Sequence, residues 1–170
     1  AGIMAAELAE RGLTGPTQVL EAPDGGFLWA FSEAARLAPL LDGLGTRWHT
    51  LDTLIKPYSC CGSLHAHVDS AIALRPHYRR GARVRAGVAQ VIDLQCGYPY
   101  DPGSELNSQM SLRYCVAAAL LDGAALPDQF TPARIADAEM TRLAKEIEIV
   151  REPEHDCIYP ARYPGWGEIE

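Results

Sequence analysis

The 170-residue sequence lacks the features that define several common protein classes. No apolar run approaches the roughly 20 residues that a membrane-spanning helix needs. Neither glycine-rich phosphate-binding pattern, G-x-G-x-x-G or G-x-x-x-x-G-K, occurs, which argues against a nucleotide-dependent enzyme. Cationic residues number 15 against 22 anionic ones, and the formal net charge of −7 leaves no basic footprint for nucleic acid. We therefore expect neither a membrane nor a nucleic-acid partner.

The cysteines do not form the paired framework of a small disulfide-rich protein. Their number, five, is odd, and no signal-peptide pattern precedes them. We expect reduced, intracellular thiols and a cytoplasmic protein. A zinc site is also disfavoured, because the adjacent Cys60 and Cys61 and the H-x-H of His65 and His67 do not match the usual C-x₂₋₄-C and H-x₃₋₅-H spacings.

The composition is that of a folded domain, with 48% apolar and 22% charged residues. The length fits one ordinary domain, or a small domain with a piece of another. The sequence begins with a helix-like pattern at residues 1–13, without an N-cap before it, and residues 165–170 resemble the start of a strand. We therefore expect an excerpt of a larger protein that leaves apolar surface uncovered.

The order of predicted elements indicates an α+β fold. Apolar residues at helical or alternating spacing predict four helices, at 2–11, 64–77, 105–121 and 131–145, and four strands, at 47–55, 83–95, 146–150 and from 166. This order fits a small, mostly antiparallel sheet with helices on one face.

The segment 56–74, KPYSCCGSLHAHVDSAIAL, gathers the residues best suited to chemistry. Ser63 is a predicted N-cap, and the helix after it would place His65 in its first turn, where free N–H groups favour a bound carboxylate or phosphate. Asp69, four residues later, is placed to accept a hydrogen bond from His65 and so orient its ring. His67 lies roughly 200° around the helix and would not serve the same site. The alternative is that His65 is an ordinary capping or surface residue.

Three segments together resemble the MmgE/PrpD family: AGIMAAELAERGLTGP, IKPYSCCGSLHAHVDSAIAL, and SQMSLRYCVAAALLDG followed by DQFT. That family includes 2-methylcitrate dehydratase, cis-aconitate decarboxylase and iminodisuccinate epimerase. The resemblance implies that residues 1–45 end the first part of an all-helical domain. It also implies that residues 46–170 form most of a smaller α+β lid domain, incomplete at its C-terminus.

The resemblance also implies the residues of half an active site. It places His65 and Tyr114 in proton transfer and Lys56 at a substrate carboxylate, with no metal or organic cofactor. Tyr114 on its own would be taken for a core residue with its hydroxyl at the edge. If both act at one site, His65 and Tyr114 should open on the same cleft within about 10 Å, because acid–base partners must reach the proton they move.

The function implied by the resemblance is that of a lyase. The full-length protein would dehydrate or decarboxylate a small di- or tricarboxylate and would form a homodimer, while the excerpt alone would be inactive. Two alternatives remain open: an isomerase that returns the proton to the opposite face, and a ligand-binding module without turnover.

Overall fold

A computed structural model describes residues 1–33 and 36–170. They fall into two compact units, Ala1–Leu54 and Ile55–Glu170. Within the described residues no helix is long and apolar enough to cross a membrane. The α-helices are α1 (Gly2–Glu10), α2 (Phe27–Phe31), α3 (Ala38–Leu41), α4 (His65–Leu74), α5 (Gln90–Cys96), α6 (Glu105–Met110), α7 (Leu112–Asp122), α8 (Pro132–Ile135), α9 (Ala138–Glu146) and α10 (Pro153–Asp156).

The first unit contains α1 to α3 and leaves its apolar side chains uncovered. Helix α1 confirms the helix predicted over residues 2–11. The predicted strand over residues 47–55 is wrong: His49–Asp52 forms a 3₁₀ turn, in which the His49 ring contacts the Asp52 carboxylate at 3.0 Å. The expected uncovered apolar surface is present, since side chains such as Leu51 and Leu54 are 86% and 91% exposed.

The second unit is built on a three-stranded sheet in the order β2-β1-β3. Its strands are β1 (Val84–Val88), β2 (Glu148–Arg151) and β3 (Trp166–Ile169). Strand β1 pairs in parallel with β2 and antiparallel with β3, so the sheet is mixed. The α+β class is confirmed, as are the strands predicted near residue 148 and from residue 166.

The strand predicted over residues 83–95 ends at Val88, and the rest is α5. Ala89, Ile92 and Cys96 are buried while Leu94 is 75% exposed, which is helical rather than alternating spacing. A residue distant in sequence stabilises the first turn of α5: the Gln90 N–H donates to the Asp156 carboxylate at 2.6 Å.

Two long predicted helices are each divided by a capping residue. Ser111 is extended and its hydroxyl accepts from the Tyr114 N–H at 3.3 Å, so it separates α6 from α7. Asp137 likewise accepts from the Met140 N–H at 2.9 Å and starts α9 after α8. Serine and aspartate favour such caps because their side chains satisfy the free N–H groups of a helix start.

Helices α4 and α7 pack together and form the centre of the core, and α4 also packs on β3. The helical spacing of Leu64, Val68, Ala71 and Ile72 predicts an apolar stripe on α4; the first three are buried, and Ile72 is partly buried against the core. The side chains of α7 are buried over most of its length. This packing fixes the first turn of α4, where His65 lies.

His67 is a structural link between α4 and β1. Its side chain is 1% exposed, and its Nε2 donates to the Gly87 carbonyl at 2.9 Å. Gly165 lies so close that a Cβ there would come within 2.4 Å of the His67 ring. Burial is the main cause that lowers the pKa of His67; the Gly87 carbonyl opposes this, and nearby His155 adds to it.

The lowered pKa of His67 predicts a fold that weakens in acid. Neutral His67 stabilises the folded state fully above the unfolded-state pKa of about 6.5, and that contribution is lost as pH falls through the lower folded-state pKa. Urea unfolding of the full-length protein between pH 7 and pH 5 should show this loss. In His67→Gln, which cannot be protonated, the pH dependence should be shallower; an identical dependence would contradict the prediction.

Candidate functional site

The segment that carries Lys56 is held by two main-chain hydrogen bonds. The Ser59 N–H donates to the Ala125 carbonyl at 2.9 Å, and the Cys61 N–H donates to the Gln109 carbonyl at 3.0 Å. A surface groove of about 370 Å³ runs between this segment and α6, and its lining includes Lys56, Tyr58, Cys60, Cys61, Gln109 and Met110. The groove is the right size for a small molecule.

Lys56 places a cation at this groove. The residue is exposed, and its Nζ donates to the Cys60 carbonyl at 3.4 Å. A single long hydrogen bond leaves two further N–H donors of the ammonium for a ligand. An exposed ammonium at the groove favours a carboxylate or another anion there.

His65 lies at the same corner of the second unit. Its ring meets the Tyr58 ring edge-on, with centroids 5.3 Å apart. Burial is the main cause that lowers its pKa, and the Lys56 charge adds to it; a hydrogen bond with the Cys60 main chain and the Asp69 charge act in the opposite direction. Its buried Nε2 has no hydrogen-bond partner among the described residues. An unpaired nitrogen of a neutral imidazole can accept a proton, but in this structure the atom is closed to solvent, so a substrate must displace a neighbouring group to reach it.

The expected hydrogen bond from His65 to Asp69 is not formed. Asp69 instead accepts a short hydrogen bond from the Tyr58 hydroxyl. That bond is the main cause that raises the pKa of Tyr58 to about 12. His65 and Asp69 do lie four residues apart on one helix, as predicted, but the Tyr58 hydroxyl from the preceding segment is the group that hydrogen-bonds to the Asp69 carboxylate. Tyr58, rather than Asp69, is therefore the side chain in contact with His65.

The start of α4 differs from the predicted capped helix. A 3₁₀ turn, Gly62–Leu64, precedes α4, and Ser63 is buried without acting as a cap. The first N–H groups here donate to main-chain carbonyls instead: the Leu64 N–H to the Cys61 carbonyl at 3.0 Å, and the His65 N–H to the Gly62 carbonyl. The expected anion site of free N–H groups at the helix start is therefore not formed, and Lys56 is the group of this segment that can bind an anionic ligand.

Tyr114 lies in the closed core. Its side chain is fully buried between Tyr100 and Phe130, with ring centroids 5.3 and 5.6 Å away, and its hydroxyl donates to the Gln129 carbonyl at 2.5 Å. Burial raises its pKa well above the ordinary value. The expectation that Tyr114 opens on one cleft with His65 is not met in the described residues, and its catalytic role stays a prediction.

Tyr114→Phe distinguishes the two roles of the tyrosine. From the geometry we expect the full-length protein to lose about 1–3 kcal/mol of unfolding free energy, because the Gln129 carbonyl is left without its buried donor. Turnover of the folded fraction should change little. Urea unfolding and steady-state kinetics measure both effects. Unchanged stability with a 10²-fold lower kcat would instead establish the proton-transfer role.

Sequence reasoning missed two residues of the groove. Tyr58 was passed over although it stands two positions after Lys56, where a strand-like segment would place both on one side. Gln109 comes from α6, and no local pattern linked it to the 56–61 segment. Within the described residues no cluster of three or more histidine, cysteine or acidic side chains could hold a metal ion.

The sequence of the second unit identifies its family. Residues 58–170 match the MmgE/PrpD C-terminal domain. The chain belongs to the MmgE/PrpD family. This MmgE/PrpD chain is similar to three curated fungal relatives, and the match to each covers at most 36% of that relative. The chain thus spans about a third of their length.

The relatives of this MmgE/PrpD chain carry related names. A cis-aconitate decarboxylase of Aspergillus terreus is 29% identical over 91% of the chain and 36% of the relative. A second one, from Aspergillus terreus strain NIH 2624, is 31% identical over 76% of the chain and 30% of the relative. A cis-aconitate decarboxylase-like protein of Aspergillus oryzae is 24% identical over 91% of the chain and 36% of the relative.

Proposed function

We propose that the full-length protein is a lyase that decarboxylates or dehydrates a small di- or tricarboxylate, with the groove beside Lys56 and His65 as part of its active site. The observation that carries the proposal is the pairing of an exposed ammonium with a neutral imidazole at one corner of the second unit. The names of the relatives support a decarboxylase and a tricarboxylate of the cis-aconitate type.

Both reactions place negative charge beside a carboxylate. In decarboxylation a carbon–carbon bond breaks, carbon dioxide leaves, and the electron pair that stays on carbon takes up a proton. In dehydration a base removes the proton and hydroxide leaves from the neighbouring carbon. Lys56 would hold a substrate carboxylate, and His65 would carry the proton that is removed or returned.

Lys56→Ala should act mainly on substrate binding. A charge-assisted hydrogen bond contributes about 1.5–3 kcal/mol, so KM should rise about 10- to 100-fold while kcat falls much less. Lys145→Ala, which removes an exposed ammonium from the last turn of α9, is the control and should leave KM unchanged. Equal KM values for the Lys56 variant and the parent would remove Lys56 from the binding site.

Incubation of the full-length protein with cis-aconitate in deuterated buffer tests the proposal. NMR should show loss of one carbon as carbon dioxide and deuterium on a five-carbon dicarboxylate. Deuterium exchange into a substrate of unchanged composition would indicate the isomerase alternative. Binding without exchange or carbon dioxide release, for cis-aconitate and for hydroxylated tricarboxylates alike, would indicate a ligand-binding module and contradict the proposal.

A further inference from the structure

The hydrogen bond from Tyr58 to Asp69 joins two parts of the second unit, each of which has its own anchors. Tyr58 lies on the segment that the Ser59 and Cys61 N–H groups attach to distant carbonyls, at 2.9 and 3.0 Å. Asp69 lies on α4, which packs against α7 and β3. The contact between the phenol and the carboxylate is therefore a result of the fold, and not of two mobile side chains that meet at the surface.

This hydrogen bond engages a carboxylate that His65 would otherwise reach. His65 and Asp69 lie four residues apart on α4, the spacing at which side chains of a helix meet. Asp69 is exposed, and its carboxylate accepts from the Tyr58 hydroxyl. A carboxylate can accept several hydrogen bonds, but this one fixes its direction, and in that direction no bond from His65 forms. Tyr58 and His65 therefore compete for one acceptor.

The charges around His65 give this competition a consequence. Burial, the main cause, and the Lys56 charge lower the pKa of His65, whereas the Cys60 main chain and the Asp69 charge raise it. A direct bond to Asp69 would favour the imidazolium further, because charge-assisted hydrogen bonds are roughly twice as strong as neutral ones. With the carboxylate turned toward Tyr58, that bond is not made.

Tyr58 makes two separable contacts at this corner of the second unit. Its hydroxyl bonds to Asp69, while its ring lines the groove and meets the His65 ring edge-on, with centroids 5.3 Å apart. Phenylalanine at this position would keep the ring contact and lose only the hydroxyl. A single conservative substitution can therefore test the hydrogen bond without removing the packing.

We propose that Tyr58 is a positioning residue for His65: its hydroxyl holds the Asp69 carboxylate away from the imidazole and so keeps the ring neutral. The proposal rests on the proposed function in one respect, which is that His65 transfers the proton. The alternative is a hydrogen bond that only stabilises the fold. Such a bond would affect unfolding and would leave the protonation of His65 unchanged.

Titration of His65 in the full-length protein tests the proposal. NMR of protein labelled with carbon-13 at the histidine Cε1 atoms follows each imidazole across pH 5–9, and the resonance that is missing from His65→Ala identifies His65. Tyr58→Phe should move the His65 titration to higher pH, because the freed carboxylate can accept from the imidazolium. Asp69→Asn should move it to lower pH, because a favourable negative charge is lost.

The double variant completes the test. Once Asp69→Asn has removed the carboxylate, adding Tyr58→Phe should not move the titration any further. Tyr163→Phe, which removes the hydroxyl of an exposed tyrosine between α10 and β3, is the matched control and should titrate like the parent. A His65 titration that does not rise in Tyr58→Phe, or that rises equally with Asp69→Asn present, would overturn the proposal.

The pH dependence of kcat/KM distinguishes this proposal from the proposed function. In each variant the limb that reports His65 should move in the same direction as the NMR titration, because kcat/KM follows the free enzyme. If the titration moves and the limb does not, Tyr58 positions His65 but His65 does not transfer the proton. If the titration does not move, the positioning role is wrong whatever the turnover.

Discussion

Replacing His65 with alanine should lower kcat of the full-length MmgE/PrpD protein by about 10²-fold or more, the usual contribution of a positioned acid or base. The buried Nε2, with no hydrogen-bond partner among the described residues, and the lowered pKa leave this imidazole ready to take a proton. The loss of stability should be smaller than for His67→Ala, because the His65 side chain is only partly buried whereas that of His67 is fully buried. Single-turnover kinetics with cis-aconitate would isolate the proton-transfer step.

His77→Ala is the matched control for this loss. His77 is exposed and ends the 3₁₀ turn Arg75–His77, which directly follows α4. Its removal should leave kcat and unfolding free energy unchanged. If His65→Ala turns over as fast as His77→Ala, His65 is an ordinary residue of the helix start and the proposed role is wrong.

Replacing His67 with alanine should have the opposite pattern of effects. We expect a loss of about 3 kcal/mol in unfolding free energy, because truncation leaves a cavity and the Gly87 carbonyl loses its buried donor. Turnover of the folded fraction should stay within about threefold of the parent, since the ring faces β1 and not the groove. Urea unfolding followed by tryptophan fluorescence measures the first effect.

His67→Gln refines the prediction, because its amide retains an N–H donor of similar reach. It should recover part of the stability lost in the alanine variant. Equal stability of His67→Ala and the parent protein would mean that the contact with Gly87 does not stabilise the fold. Comparing the His65 and His67 variants would therefore distinguish a catalytic residue from a structural one within one turn of α4.

Sequence patterns predicted those helices and strands of the second unit that local interactions determine. The stripe of Leu64, Val68 and Ala71 was sufficient to place α4, because helix packing follows the sequence period directly. The alternation of apolar residues through Val84 and Val88 continues by coincidence to Ile92. For that reason the residues of α5 were wrongly predicted to belong to the strand. Ala89, Ile92 and Cys96 are spaced three and four residues apart, and this helical spacing favoured the helix.

The site was harder to predict because its contacts come from distant residues. Asp69 has two possible hydrogen-bond donors, His65 and Tyr58. No spacing rule shows that the donor is Tyr58, which lies eleven residues earlier. Tyr114 shows the same difficulty: its hydroxyl is held by a main-chain carbonyl in a later loop. The family resemblance supplied the candidate positions, whereas tertiary contacts determine which of them face the groove.

The position of β1 at the middle of the sheet has a consequence for synthesis on the ribosome. Its neighbours β2 and β3 follow roughly 60 and 80 residues later in the chain. At about 5–20 residues per second, both edges of β1 stay open for about 3–12 seconds, until β2 emerges, and the edge that pairs with β3 stays open for about 4–16 seconds. An unpaired apolar strand is a template for association with other chains. During that interval early packing of α4 against β1 through His67 would be the nascent chain's own protection against aggregation.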